Sequence, residues 1–309
     1  MKIKLLAILV CLAMLLGVLS CGTSKHILNP VISDTAGISF GTDSTFDIAT
    51  WNIENYPKHD PQTSQLLADL IPKLKLDCIA IEEIMNATAF SSLLAQLPGW
   101  NAVMTTSSSS YRLALLYNTS EVSVDSTATI YTNLSVPFPR PPLVVKVRWR
   151  NTPVYVIVNH LKAYGDNVIE MGNNNDEEYR RLLACQYLDQ YVQDNLPAQR
   201  VIILGDMNDQ IQEPAAYNVF TPFLDRPLDY EFTDMTIAEH LTQQNCSYPN
   251  STSHIDHILI TNELFDSFTA AGCSVKSLNI ENYIGGGFST YDSMISDHRP
   301  VAARFGFGR

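Results

Sequence analysis

A chain of 309 residues has room for one large domain or two ordinary ones, and its 46% hydrophobic share is that of a globular protein, which excludes wholesale disorder. A formal net charge of −12, with no dense Lys/Arg block, leaves no strong electrostatic footprint for a phosphate backbone and weakens a simple DNA-binding reading. It leaves open an enzyme that meets phosphates through metal ions, because a bound divalent cation inverts the local field.

Lys2 and Lys4 precede an apolar run from Leu5 to Leu19 that is short for a bilayer span, so residues 1–20 read as a signal peptide. The run ends Val18-Leu19-Ser20-Cys21-Gly22, which looks like the lipobox of bacterial lipoproteins, with Val18 where Leu is usual. That resemblance implies cleavage before Cys21, lipidation of its thiol and a membrane contact through the lipid. The expected location is the cell envelope, on the outer-membrane or periplasmic side, or outside the cell. Residues 21–44 read as the lipidated Cys and a polar tether, and 45–309 as one domain, expected to act as a monomer. Cys78 and Cys185 fall in strand and helix patterns and read as buried thiols, while a Cys246–Cys273 bridge stays open.

Phe46–Asn52 alternates as a strand, and Thr63–Lys75 carries Leu66, Leu67, Leu70, Ile71 and Leu74 at helical spacing, with Pro72 as a local objection. Asp77–Ile81 is a second strand and Ala87–Leu97 a helix closed by Pro98-Gly99. Leu113–Tyr117 and Val122–Ile130 read as strands, Pro137–Pro142 as a stiff connection, and Leu143–Trp149 with Val154–Asn159 as a hairpin. Asp166–Asp176 is a Gly- and Asn-rich loop, expected to be mobile, before a long helix over Glu177–Leu196. The apolar run Val201–Leu204, closed by Gly205, fits a strand buried on both faces, whose alternation puts Asp206 and Asn208 on one side. Glu213–Phe232 is irregular with short helices, and His254–Ile260, Ser274–Ile280 and Pro300–Phe305 are strands. Without repeats or a second composition regime, the pattern predicts an α/β (α+β) domain of mixed sheets with helices outside.

Polar groups recur at or beside these strands: Asn52, Glu83, His160, Asp206 with Asn208, Asp256, and Asp297 with His298. Strand ends are where α/β proteins build sites. Hard oxygen ligands without cysteine favour Mg²⁺, Mn²⁺ or Ca²⁺ over Zn²⁺, and imidazoles among carboxylates supply proton-transfer and electrophilic groups. The sequence has no Gly-rich phosphate loop, no G-x-S-x-G and no H-E-x-x-H, so NTPase, serine-hydrolase and zincin readings lack support.

The ordered series T-W-N-I-E-N (50–55), I-A-I-E-E-I (79–84), V-N-H-L-K (158–162), I-L-G-D-M-N-D (203–209), H-I-D-H-I-L (254–259) and S-D-H-R-P-V (296–301) resembles the endonuclease/exonuclease/phosphatase superfamily. The resemblance covers the chain after the tether and implies a DNase I-like four-layer sandwich, two mixed β-sheets packed face to face with helices outside. It implies metal binding by Asn52, Glu83 and Asp297. It gives Asp206 and Asn208 the attacking water and the scissile phosphate, His298 the role of general base or stabiliser of the pentacovalent phosphate, and Asp256 the orientation of His298. His160 falls on the leaving-group or phosphate-oxygen side.

Glu82 stands where the family commonly has Gln; it either adds a metal contact or is solvated, and the solvated reading is preferred. N-H-L-K and G-D-x-N-D look more like secreted bacterial nucleases of the superfamily than abasic-site endonucleases or inositol polyphosphate 5-phosphatases. Arg112, Lys162 and Arg180 are candidate phosphate contacts. His254 and His257 read as packed or paired, Asp209 equally as a turn cap or a site residue, Trp51 as packing, and Tyr248 as a surface for a base or sugar. The leading expectation is a divalent-metal-dependent phosphodiesterase, a lipid-anchored nuclease on DNA or RNA outside the cytoplasm. The alternative is a sphingomyelinase-like or small-molecule phosphoesterase. A catalytically idle binding protein on this scaffold is the third reading, disfavoured because every motif position is filled.

Overall fold

The computed structural model describes residues 31–32, 35–106 and 111–307. The signal-peptide and Cys21 readings lie outside the described residues. In chain order the elements are β1 (Phe46–Tyr56), α1 (Gln62–Leu74), β2 (Cys78–Ile84), α2 (Ala87–Leu94), β3 (Trp100–Met104), β4 (Arg112–Asn118), β5 (Val122–Thr129), β6 (Leu143–Trp149), β7 (Thr152–His160), α3 (Glu177–Asn195) and β8 (Val201–Asp206). There follow α4 (Thr221–Leu224), β9 (Tyr230–Phe232), α5 (Met235–Glu239), β10 (Asp256–Thr261), α6 (Phe265–Thr269), β11 (Val275–Ser277), α7 (Gly287–Met294) and β12 (Val301–Phe305).

The strands form two six-stranded sheets, ordered β11-β12-β1-β2-β4-β3 and β5-β6-β7-β8-β10-β9. Each is mixed: β1 runs parallel to β2 and β7 parallel to β8, while the other pairs are antiparallel. The period of two decides what lies between the sheets. Ile48 in β1, Cys78 and Ala80 in β2, Val156 and Val158 in β7, Ile202 and Leu204 in β8, and Ile258 and Ile260 in β10 share one buried cluster. The opposite faces, with Trp51, Ile53, Ile79 and Ile81 in one sheet and Ile157, Ile203 and Leu259 in the other, pack under helices. The four layers and mixed sheets are those of a DNase I-like sandwich.

Pro72 does not end α1, because it falls in the last turn; Lys75 closes the helix in the left-handed region, and Phe40 and Gly41 donate to the Leu74 carbonyl. Residues 38–41, within the segment read as a tether, are therefore packed on the domain, with Ile38 and Phe40 buried. The hairpin turns through Arg150 and Asn151, since Trp149 pairs with Thr152. Cys246 and Cys273 are both free thiols, hydrogen-bonded to the carbonyls of Gln243 and Ser267. Among the described residues, no helix is long and apolar enough to cross a membrane.

Candidate active site

The inner-face columns of both sheets change from apolar to polar at one end. Ile48 is followed on its face by Thr50 and Asn52, Ala80 by Glu82, Val158 by His160, Leu204 by Asp206, and Ile258 is preceded by Asp256. Register aligns these positions: Asn52 pairs with Glu82, His160 with Asp206, and Asp206 with Asp256. The alternation that fills the core therefore also assembles the site.

Asn52 Nδ2 donates to Asp206 Oδ2 at 2.9 Å and to Glu83 Oε1 at 3.2 Å, and its Oδ1 accepts the Glu54 N–H at 2.9 Å. Strict alternation would turn Glu83 to the helix side. A register break between Ile81 and Ile84 and a φ of 64° at Glu83 bring it back, and Asn55 N–H holds its Oε2 at 2.8 Å. Asn208 is likewise left-handed, at φ 55°, with its N–H on Asp206 Oδ1 at 3.1 Å. His160 Nε2 stands 3.4 Å from Asp206 Oδ2 and 3.8 Å from Glu83 Oε1.

His298 is fixed on several sides. Its Nδ1 meets Asp256 Oδ2 at 2.8 Å, and its N–H donates to Ser296 Oγ at 2.9 Å, which itself donates to the Asn52 carbonyl at 2.6 Å. Tyr291, which accepts the Trp51 indole N–H at 3.0 Å, donates to the His298 carbonyl. His298 Nε2 is left 3.9 Å from Asp206 Oδ2 and 3.8 Å from Asp297 Oδ1, and the Tyr248 ring centroid lies 4.8 Å from that of His298. Trp51 is thus a packing residue, and Tyr248 covers His298.

Burial pushes Asp206 up to about 7 and Asp297 up to about 6, each opposed by the charge of His298. His298 is itself held well above the usual imidazole range by Asp256 and Asp206, against its burial. His160 is pushed well below that range by burial, with Arg140 and His298 adding to the effect. Asp297 Oδ1 is buried and has no hydrogen-bond partner among the described residues, so one hard oxygen is left uncompensated beside His298. Hard oxygens from Glu83 and Asp297, with the Asn52 amide, fit a divalent cation that would relieve this crowding.

The expectation of a solvated Glu82 is corrected. Glu82 is 0% exposed, takes the Thr50 hydroxyl on Oε1 at 2.8 Å and leaves Oε2 without a partner among the described residues. Burial, then the charges of Asp256 and Asp206, hold its carboxyl well above the usual range. Period two already placed it on the face of Cys78 and Ala80.

The candidate phosphate contacts are held differently. Lys162 turns to Glu177 Oε1 at 3.3 Å, Arg180 donates to the Val136 carbonyl at 2.7 Å, and Arg112 to the Met85 carbonyl at 3.2 Å. Arg140, unnoticed in its Pro-rich segment, donates from Nη1 to the Leu161 carbonyl at 2.9 Å, the same oxygen that Asn208 Nδ2 approaches at 3.4 Å. Burial pulls its guanidinium below its ordinary value against Asp206 and Glu83, so it lies in the field of both carboxylates. Glu54, also missed, accepts the Asp297 N–H at 3.0 Å and pairs with Lys58. Asp209 is a structural anchor, paired with buried Arg181 at 2.8 Å.

The family model described as the Endonuclease/Exonuclease/phosphatase family matches residues 49–298. No curated protein matches the chain. A solved structure of D. rerio TDP2 complexed with single strand DNA product is similar at a TM-score of 0.60 and 15% identity, over 86% of this chain and 100% of that one. The human Nocturnin catalytic domain is similar at 0.58 and 16% identity, over 85% of this chain and 95% of that one. A Bacteroides thetaiotaomicron mannosyl-6-phosphatase is similar at 0.58 and 13% identity, over 85% of this chain and 100% of that one. At such identities the structures attest the fold, and the family match spans the first five motifs and ends in the sixth, at His298. The chain belongs to the endonuclease/exonuclease/phosphatase family, and is a metal-dependent hydrolase of phosphoester bonds.

Proposed function

We propose that this protein is a phosphodiesterase, a nuclease on DNA or RNA that works outside the cytoplasm. The observation that supports a phosphoesterase site is geometric: Asp206 Oδ2 accepts Asn52 Nδ2 at 2.9 Å and stands 3.4 Å from His160 Nε2 and 3.9 Å from His298 Nε2. The choice of a diester, and of nucleic acid, rests on the likeness of N-H-L-K (159–162) and G-D-M-N-D (205–209) to secreted bacterial nucleases of the family. The location rests on Lys2, Lys4, the apolar run and the lipobox-like ending at Cys21.

Glu83 and Asp297, with Asn52, are the residues that would hold the ion, and when bound it supplies positive charge to the phosphoryl oxygens. Asp206 Oδ2 is the acceptor nearest Asn52, His160 and His298 together, and takes the attacking water. Asn208 and His160 offer N–H groups to the phosphate, His160 as a neutral imidazole. His298, oriented through Nδ1 by Asp256, presents Nε2 to the charge that develops at phosphorus and returns a proton. Arg140 steadies a non-bridging oxygen.

The test is hydrolysis of plasmid DNA, RNA, sphingomyelin and p-nitrophenyl phosphate by the purified full chain with Mg²⁺, Mn²⁺ or Ca²⁺. Cleavage of nucleic acid is expected. Turnover of sphingomyelin or the monoester with nucleic acid left intact would overturn the nuclease reading.

A further inference from the structure

We propose that His257 and Asp234 are positioning residues of the hydrolytic site, fixing from the far face of the second sheet the turn that carries Asn208. Alternation turns His257 away from Asp256, into the helix-side layer with Leu259, where it meets the rings of Phe220 and Phe232 edge-on at 5.5 and 5.7 Å. Its Nδ1 lies 2.6 Å from Asp234 Oδ2, and its Nε2 2.8 Å from the Asp209 carbonyl. Both partners only accept, so both ring nitrogens donate and the imidazole carries two protons. Asp234 is itself immobilised: it also accepts His254 Nε2 at 2.9 Å and the Ile258 N–H at 3.1 Å, and all three side chains are buried.

The same three side chains have the composition of a metal site. The 2.6 Å approach argues otherwise. Two donors on one tetrahedral ion, with bonds of about 2 Å each, stand about 3.3 Å apart. The cluster is a hydrogen-bonded strut, and it ends on the backbone of the site.

Asp209 directly follows left-handed Asn208. Its carbonyl is held by His257 and its carboxylate by Arg181 Nε at 2.8 Å. The turn is thereby gripped beyond Asn208 by groups that never face the substrate, and Asn208 Nδ2 stays near the Leu161 carbonyl shared with Arg140. Small displacements of such a donor are costly in rate. His254 shares the Asp234 carboxylate but does not touch the turn, which makes it the internal control.

The inference rests on Asn208 acting at the phosphate, as proposed above. The experiment compares His257→Phe, His254→Phe and Asn208→Ala in the full chain, reading Tm, kcat and KM on bis-p-nitrophenyl phosphate with Mn²⁺. Both Phe variants should lower Tm. Only His257→Phe should lower kcat, by about 10- to 100-fold, with KM within about twofold. Equal kcat in the two Phe variants would overturn the proposal. Should His257→Phe fail to fold, His257→Gln, which can still reach the Asp209 carbonyl, must turn over faster than His257→Asn, which cannot. Equal rates there would also overturn it. An Asn208→Ala variant with undiminished kcat would instead remove the role given to Asn208 itself.

Discussion

Asp206 and Asp256 face each other across the β8–β10 ladder, and His298 spans them, with Nδ1 2.8 Å from Asp256 Oδ2 and Nε2 3.9 Å from Asp206 Oδ2. One carboxylate fixes the ring and the other shares the space in front of it. Asp256→Asn keeps the shape but removes the charge that holds Nδ1–H and supports the imidazolium. The expected loss in kcat is about 100- to 10,000-fold with little change in Tm, read by steady-state hydrolysis and thermal unfolding.

Glu82 should behave as a neutral group. Glu82→Gln replaces a buried carboxyl by an amide of the same size, and with that carboxyl held above its usual range kcat and Tm should stay close to those of the parent. Glu82→Ala removes the acceptor of the Thr50 hydroxyl and opens a cavity, with an expected cost of about 1–3 kcal/mol. Loss of turnover in the Gln variant at unchanged Tm would show that Glu82 acts as an anion.

Arg140 should matter to the substrate more than to the fold. It donates to the Leu161 carbonyl and lies over the Tyr111 ring at 5.5 Å. Arg140→Ala should lower kcat/KM by about 10- to 100-fold, the range for losing a charge-assisted hydrogen bond, at near-parent Tm. Arg140→Lys keeps the charge without the planar fork and should recover only part.

At the opposite end of β1 and β2, Asp47 and Asp77 form a second buried acidic pair, with Asp77 Oδ2 accepting the Asp47 N–H at 2.8 Å. Burial pushes Asp77 up to about 7 and Asp47 up to about 6. Both folded values exceed the unfolded carboxylate value of about 4, so the folded state binds these protons more tightly. Their stabilising contribution is complete below about pH 4 and is lost as pH rises through about 7. Asp77→Asn should therefore flatten the fall in Tm between pH 5 and 8, measured by thermal unfolding across that range. A parallel fall in parent and variant would contradict it.

Most of the site could be read from the chain because period two makes face and function the same statement. Ile202, Leu204 and Asp206 form one column, as do Val156, Val158 and His160, and the polar member of each is where the apolar count stops. Glu83 was found by its motif and not by alternation, since its left-handed backbone reverses its face. Glu82 was misplaced although Cys78 and Ala80 already showed its side. Arg140 gave no local signal: its segment has no period, and its partner at Leu161 is brought to it only by the folded hairpin. The strand Trp100–Met104 was missed because its half-buried residues alternate weakly at the sheet edge. The paired state of His254 and His257 was anticipated, but not Asp234, which no spacing ties to them.

The most direct measurement is turnover of bis-p-nitrophenyl phosphate by the purified full chain with Mg²⁺ or Mn²⁺, with and without EDTA, beside His298→Ala. Metal-dependent hydrolysis that EDTA abolishes, and that falls by at least about 100-fold in the variant, is the expected result. Hydrolysis that survives EDTA, or that His298→Ala leaves intact, would contradict the assignment of the site.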